Sequence, residues 1–309
     1  MVAVLQSTFA IIFCMEFIMG TLGNGFIVMM ACTDWIQRRK LSLVDQILTA
    51  LAISRITLTW LVFLDWWVSV RYPALHETGK MLTMYLISWT VINHCNFWLI
   101  ASLSILYFLK IPNFSNIVFL YLKFRAKNVV MVTLLVSLFF LFLNTVIIKI
   151  YSDMCFDSVQ RNVSQISRLY IHKQICKFLS FTNPMFTFIP FFMSLIMFFL
   201  LIFSLWRHLK NMQHNAKGYR DISTTVHIRA LKTIIVSVVL YTIFFVSFFV
   251  KVWSSASPER YLIFLFVWAL GNAVLSAHPF VLILGNSRLR WASLSLILWL
   301  RYLFKNIEV

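Results

Sequence analysis

Seven long apolar stretches separated by short polar ones set the pattern of the chain. They run over about residues 9–32, 43–70, 81–109, 129–148, 183–206, 230–253 and 261–284. An α-helix rises 1.5 Å per residue, so about 20 apolar residues cross the hydrocarbon of a bilayer. The pattern therefore predicts an all-α membrane protein, a seven-transmembrane helix bundle in a single domain. Residues 287–305 then mix apolar positions with Arg288, Arg290, Arg301 and Lys305. That mixture predicts a short amphipathic helix lying on the membrane surface.

The third stretch differs from the other six. From Met81 to Leu109 it has no charge, yet its first half holds Trp89, Asn93, His94, Asn96 and Trp98. Trp89 and Asn93 are four apart and share one helical face. Lipid offers polar groups no partner, so they face the bundle interior or a water-filled cavity. The second half is apolar and ends at Tyr107 and Lys110. A helix with a polar, aromatic patch toward one face and a basic stop at the other suggests a signalling receptor. The second stretch carries Arg55 near its middle. Such a charge costs about 2.5–3.5 kcal/mol on an insertion scale, so it needs partners. By depth, Asn24 of the first stretch and Ser276 of the seventh are the expected ones. Together they would form an intramembrane network, either a switch or a fixed interhelical bond.

Composition agrees with the pattern: 61% of residues are hydrophobic and 12% charged, where soluble domains sit near half and a quarter. The net charge of +17 changes the picture only through its distribution. Seventeen of the 27 Lys and Arg lie in the odd-numbered connections and the tail, nine in the even-numbered connections, and Arg55 is the last. The positive-inside rule then predicts an extracellular N-terminus and a cytosolic C-terminus. There is no long basic arm, which excludes nucleic acid. The first stretch has no basic leader and is too long for a cleaved signal, so it is expected to stay as the first helix. Cys155 and Cys176 share one outer loop and could pair there. Asn162-Val163-Ser164 in the same loop is a glycosylation sequon, whereas Asn113-Phe114-Ser115 falls on the inner side. No metal spacing, cofactor motif, carboxylate pair or nucleophile triad is present, so no enzymatic activity is expected.

Several segments together resemble the type 2 taste receptors, the bitter receptor family. They are Leu48-Thr-Ala-Leu-Ala-Ile-Ser-Arg55, Trp89-Thr-Val-Ile-Asn-His94, Ser104-Ile-Leu-Tyr-Phe-Leu-Lys-Ile111, Ser204-Leu-Trp-Arg-His208, Ala230-Leu-Lys232 with His227 before it, and His278 through Leu282-Ile-Leu-Gly-Asn286. The resemblance covers nearly the whole chain. It implies a plasma-membrane receptor for bitter small molecules, coupled to a gustducin-type heterotrimeric G protein, with a glycan that Asn162 matches. Pro112 stands where the family usually has alanine, and Leu275 and Pro279 stand where it often has a proline and a serine. A vomeronasal pheromone receptor shares the architecture, and a small transporter is the reading from another class.

The expected ligand pocket lies among the outer halves of the second, third, fifth, sixth and seventh helices, because such pockets are apolar and aromatic with a few placed polar groups. Its residues would be Trp66, Trp89, Asn93, His94, Thr182, Met185, Phe186, Tyr241, Phe244, Phe248, Phe264 and Trp268. Trp89 would offer a cation–π face to a protonated ligand. The inner ends, with Tyr107, Lys110, Arg207, His208 and Lys232, would meet the G protein.

Overall fold

The computed structural model describes residues 2–38, 40–72, 79–111, 117–160, 182, 185–207, 210, 222–254 and 261–307. Among them the regular elements are α-helices: α1 (Val2–Arg38), α2 (Leu43–Arg71), α3 (Gly79–Lys110), α4 (Ile117–Phe124), α5 (Ala126–Gln160), α6 (Met185–Arg207), α7 (Ile222–Ser254), α8 (Tyr261–Gly285) and α9 (Ser287–Ile307). All but α4 and α9 are long and apolar enough to cross a membrane. They alternate in direction. With the start of α1 drawn uppermost, α2, α5 and α7 rise, and α3, α6 and α8 descend.

Three helices outrun the apolar pattern. α1 extends to both sides of residues 9–32, α5 continues to Gln160 through residues the pattern left as loop, and α7 begins at Ile222 rather than near residue 230. Once nucleated, a helix adds one backbone hydrogen bond per residue, whatever the polarity of the side chain. On the exposed extension of α5, Lys149 and Asp153 pair at 2.8 Å, an i, i+4 contact that supports those turns. The eight-residue α4 was also part of a predicted loop. Its one buried residue, Phe119, meets Phe108 edge-on at 5.6 Å and ties α4 to the lower core.

Helix ends are closed by local chemistry. Ser42 caps α2: its oxygen accepts from the Asp45 amide at 3.2 Å and its hydroxyl donates to Asp45 Oδ2 at 2.7 Å. Asn286 performs the same task for α9, its Oδ1 accepting from the Arg288 amide at 3.0 Å. An ion pair between Arg288 and the buried Asp34 holds α9 to the lower end of α1.

α1 and α8 approach closely because glycine removes the side chains between them. A Cβ on Gly20 would stand 2.9 Å from Ser276 Oγ, and one on Gly23 would stand 3.1 Å from Pro279 Cβ. Ser276 crosses the same seam, its hydroxyl donating to the Glu16 carbonyl at 2.7 Å. Lower down, a Cβ on Gly285 would collide with Thr233, so α7 and α8 also touch through a glycine. α3 lies at the centre, with Phe97, Ala101, Ser102, Ser104 and Leu106 fully buried.

Candidate functional site

The upper half of the bundle holds two adjoining cavities. The deeper is a recess of about 50 Å³ lined by Leu58, Val62, Trp89, Asn93, Phe244, Ser247, Phe248, Lys251, Val267, Trp268, Gly271, Asn272 and Leu275. Above it is a chamber of about 740 Å³, whose wall includes Phe13, Asp65, Trp66, Ser69, Tyr85, Lys251, Phe264 and Trp268. Val62, Lys251 and Trp268 belong to both walls.

Helical periodicity places these side chains. Phe244, Ser247, Phe248 and Lys251 fall at i, i+3, i+4 and i+7 of α7 and form one stripe. Phe264, Val267, Trp268, Gly271 and Asn272 form the matching stripe of α8. Trp89 of α3 stacks on Phe248 at 5.3 Å, with the rings 28° apart. Phe13 of α1 packs on Trp268 at 4.7 Å and meets Trp66 edge-on at 5.9 Å. Apolar walls thus surround a small polar centre. Asn93 Oδ1, Ser247 Oγ and Asn272 Nδ2 are buried and have no hydrogen-bond partner among the described residues. An acceptor, a hydroxyl and a donor therefore converge on the recess.

The lower half holds a cavity of about 230 Å³ whose wall includes Leu51, Arg55, Asn96, Tyr107, Tyr241, Phe244, Leu275, His278 and Asn286. Arg55, 3% exposed, contacts His278 Nδ1 at 2.6 Å. Arginine can only donate, so Nδ1 accepts and the imidazole keeps its proton on Nε2. This corrects the expected network. Asn24 donates to the Gly20 carbonyl at 2.9 Å, and its Oδ1 has no partner among the described residues. The Ser276 hydroxyl is spent on Glu16. The Asn24 amide is bonded within α1 and the Ser276 hydroxyl across the α1–α8 seam, and the Arg55 partner is His278.

Of the expected pocket residues, Trp66, Trp89, Asn93, Phe244, Phe248, Phe264 and Trp268 line the upper cavities. Tyr241 lines the lower one, a turn below Phe244. His94 is turned away: its Nε2 donates to the Ser137 carbonyl of α5 at 2.9 Å, and its ring lies against Trp98. Successive helical residues point 100° apart, and with Asn93 on the recess this step carries His94 round to α5. Phe186 meets Phe140 of α5 at 6.5 Å, Met185 is 45% exposed, and neither they nor Thr182 are on these walls. Trp89 also needs no external cation, because Lys251 Nζ lies 5.9 Å from its ring centroid and 5.8 Å from that of Phe264. Lys251 was missed, having been counted as a loop charge; extending the Phe244–Phe248 stripe by one turn would have found it. At the lower end Lys110, Arg207 and Lys232 are exposed. Pro112, Asn162, Cys176 and His208 lie outside the described residues. No group of three His, Cys, Asp or Glu among the described residues could hold a metal ion.

Comparison with known proteins gives the same architecture a family. The model of the family described as Taste receptor protein (TAS2R) matches residues 1–301. The chain is 84% identical to Taste receptor type 2 member 113 of Mus musculus over the full length of both, and 80% identical to that of Rattus norvegicus. It is 50% identical to Taste receptor type 2 member 14 of Homo sapiens, covering 99% of this chain and 96% of the relative. With seven membrane-crossing helices and a match over nearly its whole length, the chain belongs to the type 2 taste receptors, the bitter receptor family of G-protein-coupled receptors.

Proposed function

We propose that small bitter compounds bind in the upper cavities, and that binding there biases the bundle toward a state that engages a gustducin-type heterotrimeric G protein below. The convergence of Asn93 Oδ1, Ser247 Oγ and Asn272 Nδ2 on an aromatic-walled recess carries this reading. A buried polar atom without a partner costs about 1–3 kcal/mol. A ligand that donates to Asn93 and accepts from Asn272 recovers that energy, while its apolar body fills the chamber above.

Coupling runs through the floor of the recess. Phe244 and Leu275 line both the recess and the lower cavity that holds Arg55 and His278. A ligand that shifts Phe244 therefore alters the packing around Tyr107 and Tyr241 below it. Moving such an equilibrium from 1:99 to 99:1 takes about 5.5 kcal/mol of differential affinity. Tyr107, Lys110, Arg207, His208 and Lys232 form the G-protein contact. The excess of basic residues at that end supports a cytosolic position for it and an extracellular N-terminus. The same orientation exposes Asn162 to glycosylation.

The test is calcium release in cells expressing this chain with a gustducin-type chimeric G protein, against a varied panel of bitter compounds. Responses that vanish when the G protein is omitted are the expected result. Silence from a receptor confirmed at the cell surface contradicts the proposed coupling.

A further inference from the structure

Lys251 is the one basic side chain on the walls of the upper cavities among the described residues, and Asp65 is the one acidic side chain there. Lys251 stands where the recess and the chamber meet, and its ammonium lies against the rings of Trp89 and Phe264 from two other helices. Those rings hold the ammonium in place without neutralising it, since a cation–π contact leaves the net charge intact. They also fill the position that a ligand cation would take on Trp89. Below the ammonium, Phe248 stacks on Trp89 and closes off the apolar side.

We propose that Lys251 is a specificity residue of the upper site and selects aromatic ligands that carry a carboxylate or a comparable anion. The proposal rests on the upper cavities being the ligand site. The anion would sit on the Lys251 ammonium at the join of the two cavities, and the aromatic body would lie in the chamber among Phe13, Trp66 and Phe264. A protonated amine on the same scaffold is disfavoured, because its charge would meet the Lys251 ammonium at the join of the two cavities. Asp65 shares the chamber wall and opposes an anion there, so it limits the affinity and does not create the preference.

The test measures equilibrium binding to the purified full-length receptor with three probes of one shape: 1-naphthoate, 1-naphthamide and 1-naphthylmethylamine. The intact receptor is expected to prefer naphthoate to naphthamide and to bind the amine weakest. In Lys251→Met the naphthoate-to-naphthamide affinity ratio should fall about 10-fold or more, the scale of one hydrogen bond to a charged group. Lys251→Arg, which keeps the charge, should preserve most of the ratio, and Asp65→Asn should raise it. Absence of naphthoate binding to the intact receptor, or a ratio unchanged in Lys251→Met, overturns the assignment. Trp66→Ala, on the chamber wall, separates the two levels. If it weakens all three probes while Lys251→Met leaves the ratio alone, the site stands and the role of Lys251 falls. If Trp66→Ala weakens none of them, the upper cavities are not the ligand site.

Discussion

α3 and α5 are neighbours that solve opposite problems. The apolar window of α3 is the less hydrophobic, at a mean hydropathy of 1.4, and 67% of it is buried. The window of α5 reaches 2.5, and only 17% of it is buried. In a soluble protein that order would be reversed. Lipid is as apolar as leucine, so helices gain little by hiding leucine from it. What gains by leaving lipid is a serine, an asparagine or a histidine. α3 therefore buries Asn93, His94, Asn96, Ser102 and Ser104, whereas α5 turns Leu135, Leu138, Phe139 and Phe142 outward. α3 is central for the same reason that it is polar.

The contrast can be pressed first where burial of charge is most extreme. Arg55 is held by His278, and His278→Leu leaves a buried guanidinium without its partner. Thermal unfolding in detergent should show a loss of about 3 kcal/mol or more. Removing both partners in Arg55→Leu/His278→Leu should restore part of it. A single variant as stable as the parent would mean that the pair holds nothing. A milder probe compares the two helices directly. Ser104 is 0% exposed on α3 and Leu138 is 59% exposed on α5. Ser104→Leu overpacks the centre and should cost about 1–3 kcal/mol. Leu138→Phe, facing lipid, should stay within about 0.5 kcal/mol. Equal costs would break the inversion.

Much of this was legible in the sequence, and each part that was not has its own physical cause. The seven spans follow from alternating apolar and basic runs, because the bilayer imposes a length on each. α9 was readable from its mixed apolar and basic positions. α4 was not, since eight residues lying beside the core do not register as a span. The direction each side chain faces was not legible either, and it is direction that gives Arg55 to His278 and turns His94 toward Ser137. That Trp89 and Asn93 line one recess was legible, because two residues four apart share a helical face. Lys251 was lost because a charge at the end of an apolar run reads as a loop residue, although its stem continues the stripe of Phe244 and Phe248.

The central claim is that the polar face of α3 reads the ligand, and Asn93→Ala tests it most directly. Agonist concentration–response curves and cell-surface abundance should be measured on the same cells. The account predicts agonist responses about 10-fold weaker, in line with one lost hydrogen bond in a buried recess, with surface abundance unchanged. Loss of response in proportion to loss of surface receptor, or an unshifted curve for every agonist, would reduce Asn93 to a packing residue and contradict the account.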